Sequence, residues 1–141
     1  MRKIRKGQVL SKKQVISSGL KVRVGKYQLG WRWVEVFLSP KSENGSGQFC
    51  PTGSDVTELV IGLSDGPQVA VAILLHEAME AVLWDLDCSY RLSSNWAVGS
   101  GLYSFHMTHA QYSEATDRVG FFLAKCLPEF QKLVKHLSPK K

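Results

Sequence analysis

His76, Glu77 and Glu80 are the residues of this 141-residue chain whose types and spacing point most directly to chemistry. They interrupt VAVAILLHEAMEAVLW (69–84), a stretch otherwise made of apolar residues and Ala. At helical spacing His76 and Glu80 share one face, and Glu77 follows His76 directly. An imidazole and carboxylates set in apolar surroundings need partners, because an unpaired buried charge costs several kcal/mol. A divalent cation satisfies all three at once. His76 and Glu80 would ligate it, and Glu77 would reach its open side as a general base, where the cation polarises a scissile carbonyl. Catalytic zinc commonly has three protein ligands, so one more must come from elsewhere. His109 is the first choice, with His106 and Glu114 in reserve. Zinc fits this set, and imidazole with carboxylate also suits manganese, iron or cobalt.

The elements that must position these groups follow from pattern and punctuation. The 69–84 stretch lacks Gly and Pro and is rich in Ala and Leu, which predicts a helix of about four turns. Its apolar residues fall on almost every side, which predicts burial at the centre of a domain. Upstream, Tyr27 to Leu38 is dense in aromatic and β-branched residues and reads as a strand, followed by an exposed loop over 39–47. A second strand is expected over Val56 to Leu63. Ser64-Asp65-Gly66-Pro67 then stops it, placing Pro67 in the first helical turn with Asp65 or Ser64 as cap. The polar, Gly-containing connection after Trp84 is long enough to wall one side of the site. Thr108-His109-Ala110-Gln111 has the form of a capping box. The helix it opens at His109 would carry Tyr112, Ala115, Val119, Phe122, Leu123 and Cys126 inward. Pro128 should kink or break that helix, leaving a last amphipathic piece through Phe130, Leu133, Val134 and Leu137. These elements make an α+β fold, a small sheet packed on a central helix with further C-terminal helices.

Length and a 44% hydrophobic content suit one domain, and no uncharged apolar run reaches the roughly 18 residues of a membrane span. The opening MRKIRKG is not followed by the apolar block of a signal peptide. Cys50, Cys88 and Cys126 are odd in number and widely spaced, as expected of reduced thiols in the cytoplasm. The net charge of +6 is uneven: residues 1–26 hold nine Lys or Arg and no acid, so the remainder is mildly acidic. The chain therefore divides into a basic, partly disordered arm over 1–26 and a domain over 27–137. Such an arm is a solvated tail or a contact for nucleic-acid phosphates. Trp31, Trp33 and Trp96 read as core or groove-lining residues rather than a platform for bases.

LLHEAMEAVL, followed some thirty residues later by MTHAQYSEATDRVGFFL, resembles a group of small bacteriophage-type zincin-like proteins. Their pattern is a strand, a polar turn, a helix with L-L-H-E-x-x-E/H-A and a second helix opening L-S/T-H-x-Q. The resemblance covers roughly residues 56 to 127. It implies a zincin-like fold in which His76, Glu80 and His109 take the metal-ligand positions and Glu77 that of the catalytic glutamate. It also implies that Val56–Leu63 is the edge strand beside the active helix, able to hold an extended peptide by backbone pairing. The expected function is zinc-dependent hydrolysis of a peptide-like bond, as a metallopeptidase or amidohydrolase, in the host cytoplasm if phage-encoded. Glu80 departs from the second histidine of H-E-x-x-H, and an added anionic ligand makes the metal less electrophilic. The second expectation is therefore a catalytically weak binding module that contacts nucleic acid through residues 1–26.

Overall fold

The computed structural model describes residues 21–40, 47–49, 56–63, 66–91 and 103–138. Where one strand was expected over Tyr27 to Leu38 there are two, β1 (Val22–Leu29) and β2 (Arg32–Ser39), paired antiparallel as a hairpin. The turn is Gly30-Trp31, with Gly30 at φ 64°, the left-handed region that glycine enters without steric cost. A Cβ at Gly30 would also come within 3.0 Å of the Arg118 side chain. Residues 22–26, assigned to the basic arm by charge, form the first half of β1. Val24 is buried while Arg23 and Lys26 point to solvent, and a bulge between Arg23 and Gly25 accommodates the change of register.

Beyond the hairpin, β3 (Gly47–Phe49) and β4 (Val56–Gly62) complete a four-stranded sheet in the order β1-β2-β4-β3. β4 runs parallel to β2 and antiparallel to β3. It is thus an interior strand, and the expectation of an edge strand over Val56–Leu63 is not met. The edge beside it belongs to β3, three residues that pair with Leu59–Ile61 and begin on the last residue of the loop expected over 39–47.

α1 (Pro67–Asp85) and α2 (His109–Leu137) pack against each other on one face of the sheet, α1 over β3 and β4 and α2 over β1. Val34, Val36, Leu38, Leu59 and Ile61 meet Leu74, Val82, Phe122 and Phe130 in one core. Burial of such side chains contributes about 1.5–3 kcal/mol each. Tyr27 sets its ring edge-on to Phe122 at 6.2 Å between centroids.

Pro67 opens α1 as expected, but the N-cap is Gly66 with no side-chain cap bond; Ser64 and Asp65 lie outside the described residues. α1 closes with Cys88 N–H donating to Leu83 O at 2.9 Å and Asp87 N–H to Trp84 O at 3.1 Å, the paired bonds of a Schellman ending. The expected capping box is present at α2: the Thr108 hydroxyl accepts from Gln111 N–H at 3.2 Å, and Gln111 Oε1 accepts from Thr108 N–H at 2.8 Å.

α2 buries Ala115, Val119, Phe122 and Cys126. Tyr112, expected on that stripe, is 52% exposed. The helix also runs unbroken through Pro128. The ring faces solvent, and Cys126 and Phe130 on either side are fixed in the same core, which outweighs the one hydrogen bond the proline removes. The connection after α1 holds a two-stranded ribbon, β5 (Ser89–Arg91) with β6 (Tyr103–Phe105). Cys88 and Cys126 are free and buried, whereas Cys50 and Trp96 fall outside the described residues. Among the described residues no helix is long and apolar enough to cross a membrane.

Candidate metal centre

α1 meets the core along Ala70, Leu74, Ala78 and Ala81, a spacing that keeps one arc of the helix inward and, with small residues, lets it approach the sheet closely. Glu77 falls on that arc, three residues after Leu74 and four before Ala81, and is only 6% exposed. Glu80 lies at its margin, and His76 lies outside it with Ala72 and Leu75. Side-chain exposure is 73% for His76 and 17% for Glu80. The helix is therefore enclosed on one side only, against the expectation of burial all round: sheet and α2 cover one arc, and Leu75 and Val69 remain open to solvent.

The structure brings His76, Glu77 and Glu80 together, each offering a ligand atom within 4.8 Å of the others. His76 Nε2 stands 3.6 Å from Glu80 Oε2. That is too long for a hydrogen bond. It is close to the roughly 3.4 Å that two ligand atoms, each about 2.1 Å from a tetrahedral zinc, keep between them. His76 and Glu80 thus fit two ligand positions of a divalent transition metal in chemistry and spacing, and among the described residues no side chain other than Glu77 joins them as a third. Burial raises the Glu77 carboxyl above the ordinary carboxylate range; the charge of Glu80 adds to the rise, and His76 offsets part of it.

His109 is not one of this group. It lies exposed in the first turn of α2, and that turn is anchored at the far end of α1: Gln111 Nε2 donates to Leu86 O at 3.1 Å. At about 1.5 Å per residue, His76 lies about 15 Å and Glu80 about 9 Å back along the helix from Leu86. The reserves are placed elsewhere too. His106 is exposed and donates its backbone N–H to Cys88 O at 2.8 Å, and Glu114 ion-pairs with Arg118 on the surface of α2.

A groove of about 480 Å³ borders the group, lined by Ala72, Leu75, His76, Met79, Glu80, Leu83 and Phe105. Phe105 ends β6, so the connection after α1 does wall one side. The other lining residues carry a sequence signal as well, since Leu75, Met79 and Leu83 repeat every four residues beside His76 and Glu80. A larger groove of about 770 Å³, between Pro67 and the last turns of α2, is lined by no imidazole or carboxylate.

A second polar cluster had no local signal. Arg32, at the start of β2, forks onto Asp85, at the end of α1. Nε donates to Oδ2 at 2.9 Å, Nη2 pairs with Oδ1, and Nη1 donates to Thr57 Oγ1 at 2.7 Å. It fixes the C-terminal end of the helix that carries the candidate ligands. No protein-family model, curated protein or solved structure matches this chain.

Proposed function

We propose that this protein is a zincin-like metallohydrolase, binding a divalent transition metal, zinc first, through His76 and Glu80 and cleaving a peptide-like bond. The observation that carries the reading is the 3.6 Å separation of His76 Nε2 and Glu80 Oε2 with the Glu77 carboxylate in the same group. A cation held there supplies Lewis acidity toward a carbonyl oxygen. Glu77 supplies the base. Its carboxylate would accept a proton from the attacking water and return it to the leaving nitrogen. The open side at His76 admits substrate, and Leu75, Met79 and Phe105 offer it an apolar wall. Glu80 in place of a second imidazole makes the ion less electrophilic, so slow turnover is part of the reading.

Metal content of the purified protein, measured in wild type and variants, tests it. Wild type should carry close to one equivalent of zinc and His76→Ala almost none. Glu77→Gln should keep the metal and lose hydrolysis of a peptide library. Less than about half an equivalent in wild type, unchanged in His76→Ala, would overturn the metal site; equal loss of metal and activity in Glu77→Gln would make Glu77 a ligand instead of the base.

A further inference from the structure

The face of the sheet turned away from the helices is not an ordinary charged surface. In register, Lys26 stands opposite Glu35, Gln28 opposite Trp33 and Arg23 opposite Phe37. Trp33 is 47% exposed and lies under Lys26, whose Nζ is 5.5 Å from the ring centroid. Phe37 sits under Lys21 at 4.7 Å. Gln28 also lines a groove of about 580 Å³ with Gly30, Trp31 and, from α2, Arg118, Phe121 and Lys125, so the groove adjoins the sheet face at Gln28, around the β1 edge. There Trp31 is 59% exposed and Phe121 75% exposed, with the Arg118 guanidinium carbon 4.1 Å from the Trp31 centroid. Three large rings left in water on two adjoining surfaces mark a contact region.

We propose that this surface binds single-stranded nucleic acid, its rings stacking on unpaired bases and its lysines meeting the phosphates. Charge complementarity supports this occupant. Glu58, Glu35 and Glu114 offset Lys21, Arg23 and Arg118, while Lys26 and Lys125 carry no ion pair among the described residues. Residues 1–20 add six Lys or Arg and no acid, joined to the face at Lys21. Exposed rings interleaved with bases suit a ligand that has a flat π-face and one negative charge per unit. A duplex hides those faces, and an acidic peptide offers a π-face only where it carries an aromatic residue, not at every unit.

Fluorescence anisotropy of the full chain with labelled 20-nucleotide dT and rU strands, at 50 and 200 mM salt, tests the proposal. Trp31→Ala, Trp33→Ala and Phe121→Ala should each weaken binding roughly five- to hundredfold without changing the salt dependence. Lys125→Ala should instead lower the slope of log affinity against log salt by about 0.7. All four side chains are at the surface, and thermal melts confirm folding; Phe121, the most exposed ring, decides the matter if another variant melts early. Several outcomes would overturn the proposal: no binding at 50 mM salt, or aromatic variants that bind like wild type, which leaves only the arm at work. Equal or tighter binding of a duplex or of polyglutamate would do so as well, as would self-association in sedimentation that is lost with the rings while no strand binds.

Discussion

Replacing Arg32 by Met keeps most of the side-chain stem but removes the fork that holds Asp85. Side-chain exposure is 16% for Arg32 and 6% for Asp85, so the carboxylate left behind has little access to water, and Thr57 Oγ1, on a residue 2% exposed, loses its donor. Removing one partner of a buried pair costs about 3–5 kcal/mol, most of it the penalty of the stranded charge. For a chain of this length, at about 2.1 cal/mol/K per residue, that corresponds to a fall in Tm of roughly 10–17 °C. Asp85→Leu should cost a similar amount by stranding the guanidinium. The double variant should recover most of the loss, since apolar groups of similar volume replace buried pairs at little cost. Thermal and urea unfolding of the four proteins complete the cycle. If each single variant loses less than about 1 kcal/mol and the two losses add, the pair behaves as an exposed one and does not fix the end of α1.

Zinc at a hundredfold its Kd should stabilise wild type by about 2.7 kcal/mol, roughly 9 °C in Tm. His76→Ala should lose that gain while changing metal-free stability by less than about 0.5 kcal/mol, because the imidazole is exposed; an equal zinc shift in both refutes the ligand assignment. Burial pushes the Cys126 thiol up to about 12 from 9.0. The unfolded state therefore ionises first as pH rises past about 9, and wild type should lose up to about 1.4 kcal/mol per pH unit relative to Cys126→Ala until the folded thiol also ionises. Parallel stability–pH curves between pH 9 and 11 would refute this.

What the sequence discloses follows the range of the interaction involved. The capping box at Thr108 and Gln111 spans three residues, and the His76–Glu80 pair spans four, so spacing along one helix was enough to find both. The hairpin was hidden because Trp31 carries the aromatic run of β1 and β2 through the turn, leaving Gly30 as the one marker. Of the kink or break expected at Pro128, the break is overridden by tertiary contacts of Cys126 and Phe130, which no local propensity reports. Position in the sheet is non-local as well: β4 is interior because Gly47–Phe49, ten residues or more away in sequence, pairs with it. Arg32 and Asp85 stand 53 residues apart and share no motif. His109 does open a helix, as its sequence context indicates, but the bond from Gln111 to Leu86 seats that start at the Leu86 end of α1, away from His76 and Glu80.

The division of the three helix groups between core and solvent bears on what kind of site they make. Structural metal sites are closed by protein ligands, whereas catalytic ones keep a position open. Here successive residues turn about 100° apart, so one helix carries Glu77 into the core, Glu80 at its margin and His76 out to solvent. Under the proposed function the core would fix Glu77 as the base, and the exposed imidazole would leave a side from which substrate can approach. The buried carboxylate also requires an explanation that a surface ion pair between His76 and Glu80 does not provide. Charge from Glu80 makes its burial costlier, and a cation beside both carboxylates would offset that repulsion with its own attraction to each. A Glu77→Leu variant, with metal withheld, should then be more stable than wild type, since it removes a desolvated acid. If metal-free Glu77→Leu is instead less stable, the carboxylate serves the fold and its placement says nothing about an ion.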